Sequence, residues 1–135
     1  MHDLLQRFAA EHSELQQALA GIRPPHFKTD EGRTRLNRVR DLMRSHLAEE
    51  EKQLYKPLEK AARKDDRLAG NVRRMTDELS IISGLAEDFF AKYEQGVTRL
   101  VEFATDHCAL LTILQIRLKR EEEMLFPLFD RITEN

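Results

Sequence analysis

Apolar residues recur at alternating intervals of three and four residues through four long stretches of this chain. This spacing places them on one face of an α-helix, and no comparable stretch alternates with the period of two that is typical of a β-strand. Gly and Pro are concentrated at 21–32 and, more weakly, at 64–71 and 93–96. Four amphipathic helices with short connections predict an all-α, up-down-up-down four-helix bundle.

The length and the charge balance exclude several classes of protein. A chain of 135 residues has the size of one domain, so residues 1–135 are expected to form a single bundle domain. The 22 Lys and Arg against 24 Asp and Glu give a net charge of −2, which argues against a nucleic-acid partner. The apolar runs are too short to cross a membrane, so no membrane association is predicted.

The N-terminal sequence and the use of cysteine indicate a cytoplasmic protein. "MHDLLQRFAAEHSEL" has no basic region followed by an apolar segment, so it does not have the pattern of a signal peptide. Cys108 is the single cysteine. This excludes an internal disulfide framework and fits a reducing compartment.

Polar side chains interrupt the apolar faces at positions that a bundle would bury. They are His12, His46, Glu50, His107, Arg117 and Glu121. Burying an unpaired charge is costly, so such residues should pair with one another or bind an ion. His46 and Glu50 are four residues apart, about 6 Å along one helical face, and both can reach one metal ion. With His12 and Glu121 on two further helices, they predict a metal site.

Three motifs on these helices resemble the hemerythrin-like family, whose HHE domain binds cations. "AEHSELQQAL" carries His12, "HLAEEEKQLYKPL" carries His46 and Glu50, and "RLKREEEMLFPLF" carries Glu121. The resemblance spans nearly the whole chain and implies a bundle of two related helix pairs. In the family, each helix pair has a His on its first helix and a His-x-x-x-Glu motif on its second. In the family the His ligands divide between two irons, and the two Glu residues bridge the irons.

The second helix pair departs from the family pattern at both of its histidine positions. Aligning the third helix with the first places Leu79 opposite His12. Aligning the fourth helix with the second places Arg117 opposite His46, and pairing the "EEE" runs instead places Leu118 there. The imidazole is missing in either alignment. The resemblance therefore implies that the ligands of the first iron are retained and that both imidazoles of the second are lost.

These departures predict a partial site that holds one metal. Its ligands would be His12, His46, Glu50 and Glu121, and this set suits a single Zn, Fe or Mn ion. Arg117 would substitute for the second metal, because its fixed charge and forked donors suit Glu121, with Glu50 as a second partner. Leu79 on the third helix would fill the space of the absent imidazole.

Other arrangements of the same residues stay open. The cluster could be free of metal, with its histidines hydrogen-bonded around a salt bridge to Arg117. Alternatively, Glu78 or Asp77 could complete a full two-metal site. His107 is about 15 Å along its helix from Arg117, too far to share a metal site. It could form a small second site with His26, although a hydrogen bond to the backbone is the simpler expectation.

The predicted function is that of a divergent hemerythrin-like protein with a degenerate di-iron site, serving in sensing, regulation or metal handling rather than in O₂ transport. The sequence shows no nucleophile–base pair and no phosphate loop, so no enzymatic activity is predicted; a weak two-metal oxidase or peroxidase is an alternative. The competing function is a metal-free bundle that binds a protein partner or a second copy of itself. The outer sides of "SIISGLAEDFF" and "CALLTILQI" are its candidate surfaces.

Overall fold

The computed structural model describes residues 2–133, and most of them lie in four continuous helical rods. Two rods are single helices, α1 (Asp3–Ala20) and α4 (Asp66–Lys92). Each of the other two consists of an α-helix, a π-helical turn and a second α-helix. One of these rods consists of α2 (Asp30–Glu50), the π-helical turn Glu51–Tyr55 and α3 (Lys56–Ala62). The other consists of α5 (Leu100–Arg120), the π-helical turn Glu121–Leu125 and α6 (Phe126–Thr133). A short 3₁₀ turn, Pro24–His26, lies in the first connection.

The rods pack as an up-down-up-down bundle, which confirms the predicted fold class. α1 packs against α2 on one side and against α5 on the other, and α4 closes the ring by packing against α2, α3 and α5. At one end of the bundle α3 also contacts α6. Residues 2–133 contain no β-strand. None of the helices in this range is long and apolar enough to cross a membrane.

Side-chain caps determine where two of the helices begin. Thr29 Oγ1 accepts a hydrogen bond from Gly32 N–H at 3.0 Å, so α2 begins at Asp30, inside the stretch predicted as a loop. Asp65 Oδ1 begins α4 in the same way by accepting two backbone N–H groups at 3.0 and 3.3 Å. Glycine is required at position 32, because a Cβ there would collide with the carbonyl oxygen of His26.

Both π-helical turns end two residues before a proline. In the first turn the N–H of Lys56 bonds to the carbonyl of Glu51, five residues back instead of four, and the second turn makes the equivalent bond. Pro57 and Pro127 follow each turn by one further residue. A proline supplies no N–H to the preceding turn and its ring crowds that turn, so the wider turn lies where the α-helical pattern is already broken.

The π-helical turns shift the buried face of each rod. Beyond the second turn Phe129 is buried and Leu128 is half-buried, whereas uninterrupted α-helical spacing predicts Leu128 in the core. An uninterrupted helix would also direct Tyr55 about 140° away from Glu50. The wider turn instead places Tyr55 in the core, where it is 1% exposed. A buried hydroxyl is thereby added to the interior of the bundle.

The core consists of two apolar clusters separated by a layer of polar side chains, called here the polar layer. One cluster lies near the connections at 21–29 and 93–99, and the other lies near the connection at 63–65. Each cluster contains residues from all four rods. The polar layer between them consists of His12, His46, Glu50, Arg117 and Glu121.

Candidate metal centre

Three of the four rods supply the polar layer. His12 lies in the middle of α1, and His46 and Glu50 lie in the last turns of α2. Arg117 and Glu121 lie where α5 meets the second π-helical turn. Each of the five residues is at most 3% exposed. Because all of them occupy the core-facing stripe of their helices, packing of the bundle brings them together.

Two imidazoles and two carboxylates meet at the centre of this layer. His12 Nε2 lies 2.9 Å from Glu50 Oε2 and 3.1 Å from Glu121 Oε1. His46 Nε2 lies 3.0 Å from the same Glu50 oxygen. One nitrogen or oxygen atom from each of these four residues lies within 4.8 Å of all the others. The structure therefore brings together the four side chains that the sequence predicted as ligands.

Two further carboxylates contact the histidines from outside the centre. Glu11 Oε1 lies 2.7 Å from His46 Nδ1, and Glu122 Oε2 lies 3.2 Å from His12 Nδ1. An ionised carboxylate only accepts hydrogen bonds, so each Nδ1–H donates and each Nε2 faces the centre. Histidines that bind metals commonly have their second ring nitrogen held by a carboxylate in this way.

Arg117 occupies the opposite side of the layer. Its Nε lies 3.4 Å from Glu121 Oε2, and its Nη1 lies 3.4 Å from Glu78 Oε2. Its Nη2 donates to the hydroxyl of Tyr55, and that hydroxyl donates to Glu121 Oε2 at 2.6 Å. The predicted pairing of Arg117 with Glu121 is confirmed. Among the described residues its other carboxylate partner is Glu78, whereas Glu50 pairs with the two histidines.

The charges of the cluster favour protonated His12, His46 and Glu121 beside an ionised Glu50. Burial lowers the pKa of His12, but the carboxylates of Glu121 and Glu50 outweigh this effect and raise it to about 10. The pKa of His46 is also raised against the effect of burial, chiefly by Glu50. Burial and the neighbouring Glu50 charge raise the pKa of Glu121. The pKa of Glu50 is lowered against burial by its contacts with Glu121 and both histidines. Bound protons therefore balance the negative charge of the buried carboxylates, and a metal cation would displace some of these protons.

Three buried atoms at the centre lack a hydrogen-bond partner within residues 2–133, namely His46 Nε2, Glu50 Oε1 and Glu121 Oε1. His46 Nε2 and Glu121 Oε1 have neighbours at ion-pair distance, but the angles are not those of hydrogen bonds. Unsatisfied buried polar atoms are uncommon and costly. Ligands that share an ion at about 2.1 Å lie at most about 4.2 Å apart, so shifts of roughly half an ångström would bring the group into coordination range. The residues thus fit a small divalent cation.

The residues at and beside the position of the third-helix histidine do not form a second group of metal ligands among the described residues. Leu79 is half-buried on α4 and packs against an apolar cluster. Glu78 Oε2 lies 2.6 Å from Arg120 Nη1 as well as near Arg117, and Asp77 is exposed. Within residues 2–133, no second group of three or more His, Cys, Asp or Glu side chains lies at metal-binding distances.

His107 lies outside the polar layer, as its spacing predicts. Its Nε2 is 2.7 Å from the carbonyl oxygen of Leu19. Its ring stacks on Phe103 with the ring centroids 5.7 Å apart. His107 therefore makes the backbone hydrogen bond expected of a histidine at the edge of the core.

Tyr55, Glu11 and Glu122 are residues of the site that the spacing did not identify. Tyr55 belongs to a Leu-Tyr pair of apolar character, and the π-helical turn that contains it has no periodic signal in the sequence. The two glutamates had one available signal, because each is the direct neighbour of a predicted ligand. Adjacent residues face different sides of a helix, so each glutamate can reach the histidine of an adjoining rod.

Comparison with known proteins identifies a family. The model of the hemerythrin HHE cation binding domain matches residues 2–129. This range includes the whole polar layer, both outer carboxylates and Tyr55. No curated protein and no solved structure matches the chain.

Proposed function

Because the chain belongs to the hemerythrin HHE cation-binding domain family, we propose that it binds one divalent metal ion through His12, His46, Glu50 and Glu121. The observation that carries the proposal is the set of unsatisfied buried atoms that converge within this group. Two imidazoles and two carboxylates suit iron or zinc. The buried location also limits the access of water to such an ion.

The residues around these ligands have separate roles in the proposal. Glu11 and Glu122 orient the two imidazole rings so that each Nε2 faces the ion. Tyr55 donates to the Glu121 oxygen nearest Arg117, which leaves the other oxygen of that carboxylate for the ion. Iron would supply one-electron redox chemistry, whereas zinc would supply only Lewis acidity.

The guanidinium of Arg117 supports a site for one ion rather than two. It supplies a fixed positive charge beside Glu121, on the side of the layer that faces α4. On α4, the side chain of Leu79 has no atom that could bind a second metal ion. Reversible O₂ binding of the kind known in the family requires two irons that share the electron change. We therefore infer a sensing, regulatory or metal-handling role rather than O₂ transport.

The metal content of the purified protein tests this proposal. Protein prepared without an affinity metal, loaded anaerobically with Fe(II) or with Zn(II) and then desalted, should hold about one ion per chain by inductively coupled plasma mass spectrometry. His46→Ala removes a ligand and should weaken the affinity for metal roughly tenfold or more, so less metal should remain bound after desalting. His107→Ala is the matched control, because that imidazole bonds to a backbone carbonyl outside the polar layer.

Two other results would contradict the one-metal proposal. About two ions per chain would show that a second position exists, as in the di-iron members of the bundle class. No bound ion under either loading condition would favour the alternative function, a metal-free bundle with a salt-bridged core that acts as a protein-interaction module. The exposed apolar side chains, rather than the polar layer, would then be the functional feature.

Metal-free and metal-loaded protein should differ in the pH dependence of their stability. The pKa of His12 is raised from its ordinary 6.5 to about 10. Its stabilisation of the metal-free protein is therefore full below pH 6.5 and is lost as the pH rises through about 10. The raised pKa of Glu121 acts in the same direction, because ionisation of this carboxyl becomes costlier in the folded state. Metal binding displaces such protons, so metal affinity should increase with pH.

We therefore expect the melting temperature in EDTA to fall between about pH 7 and about pH 9. The increase in melting temperature caused by Zn(II) should grow over the same interval. Differential scanning fluorimetry with and without metal measures both quantities. A metal-induced increase that stays constant or shrinks with pH would argue against proton displacement at these ligands.

A further inference from the structure

We propose that a second copy of this chain docks, antiparallel, on the face formed by α4 and α5. Three features of this face are not explained by the packing of a single chain. They are an exposed apolar stripe, two unpaired charges placed symmetrically about the centre of that stripe, and a helical glycine with open space beside it. The proposal is independent of metal binding.

The apolar stripe lies in the two stretches whose outer sides the sequence predicts as candidate surfaces. Ile81 and Leu85 on α4 are 65% and 46% exposed, and Ile116 on α5 is 57% exposed. Ile116 lies on the α4 side of its helix, because Arg120, one turn later, reaches Glu78 of α4. Large apolar side chains that adjoin one another on a surface commonly mark an interaction site.

Among the unpaired charges of this face, which include Asp77, two of opposite sign flank the stripe at equal distances. Arg74 precedes Ile81 by seven residues and Asp88 follows it by seven, so the three share one stripe of α4. Arg74 and Asp88 are exposed, and neither side chain has a hydrogen bond or ion pair within the described chain. By contrast, Glu87 beside Asp88 pairs with Arg44 at 2.7 Å. The flanking charges are thus available to a partner.

A two-fold axis at Ile81 would convert these free charges into complementary pairs. Two antiparallel copies of α4 that cross at Ile81 bring Arg74 of one copy to the level of Asp88 of the other, about 10 Å from the axis. Symmetry makes the same contact twice, as an isologous interface requires. The stripe is therefore complementary to itself, which favours a second copy over an unrelated partner.

Gly84 provides room for a close approach of the two chains. It lies inside α4, where glycine weakens the helix. A Cβ built at this position meets no atom within 4 Å, so no contact within the chain requires glycine there. Gly84 is also exposed and adjoins Leu85. The absence of a side chain would allow the backbone of a neighbouring helix to come near.

Charge reversal tests both the surface and its symmetry. Sedimentation velocity of the full chain over a wide range of concentrations, in EDTA to prevent metal-mediated association, should show a monomer–dimer equilibrium. Arg74→Glu and Asp88→Arg, tested singly, each place like charges opposite one another twice. Each should weaken dimerisation roughly tenfold or more. The double variant Arg74→Glu/Asp88→Arg restores both pairs with inverted polarity and should return the Kd to within about threefold of wild type.

Arg38→Glu is the control, because Arg38 is exposed on α2, outside the proposed face. This variant should leave the Kd unchanged, and circular dichroism should show that every variant is folded. A wild-type protein that stays monomeric at all concentrations would overturn the proposal, as would single reversals that dimerise normally. A double variant as weak as the single ones would reject the two-fold axis at Ile81.

Discussion

Replacing Arg117 with methionine is expected to destabilise the metal-free protein by about 3–5 kcal/mol. Methionine keeps a long apolar side chain but removes the positive charge beside Glu121. That carboxyl then remains buried near Glu50 without its guanidinium partner, held by the Tyr55 hydroxyl and His12. Urea unfolding in EDTA, followed by circular dichroism, measures the change in the free energy of unfolding.

Arg44→Met is the matched control for this prediction. Arg44 and Glu87 pair at 2.7 Å on the surface, where both side chains are about half exposed. Loss of such a solvent-exposed pair should cost far less, because water screens the attraction between its charges. The effect of Arg117→Met should also shrink at acidic pH, because Glu121 can then be neutral in the folded state. Equal, small losses in the two variants would show that Arg117 does not balance the charge of the polar layer.

Replacing both Leu79 and Arg117 with histidine is expected to raise the metal content from about one to about two ions per chain. The family pattern has imidazoles on its third and fourth helices, and the carboxylates of Glu50 and Glu121 are already present. Leu79 and Tyr55 line one cavity, and Arg117 reaches the Tyr55 hydroxyl from α5. Both substituted positions therefore lie close to the Tyr55 side chain. Mass spectrometry after anaerobic Fe(II) loading measures the gain.

The single variants separate the two contributions to this gain. Arg117→His should add no ion, because Leu79 still offers no ligand on α4. Leu79→His should add none either, because the guanidinium stays beside Glu121. Circular dichroism of the loaded proteins checks that each variant is folded. A folded double variant that binds no more metal than wild type would show that these two residues do not occupy the missing ligand positions.

Helical periodicity is sufficient to predict the faces of the bundle and the members of the polar layer. Residues that recur at intervals of three and four share a face, so His12 and Glu50 had to enter the core if the helices formed. The pairing of Arg117 with Glu121 was also predictable, because residues four apart on one helix are neighbours. The prediction of where α2 starts is less accurate, because Thr29 caps the helix within the segment 21–32 that is predicted to be a loop.

Other parts of the site depend on features that apolar spacing does not contain. Tyr55 and Phe129 reach the core through π-helical turns. The prolines indicate where the α-helical pattern breaks, but they do not indicate that the turn there contains one residue more than an α-helical turn. Glu11 and Glu122 contact histidines on adjoining rods. Their role therefore depends on how far the rods are shifted along one another, which is a property of tertiary packing.

The polar layer divides the interior into two sub-globular units. Both units contain all four rods, so neither end can open unless the rods break at the level of that layer. Two rods already leave the α-helical repeat beside it, at Glu51–Tyr55 and Glu121–Leu125. The free energies of local opening at the two ends can therefore differ from each other and from that of global unfolding. A change in the charge of the layer would then alter how cooperatively the two ends unfold, and amide hydrogen exchange is sensitive to this coupling.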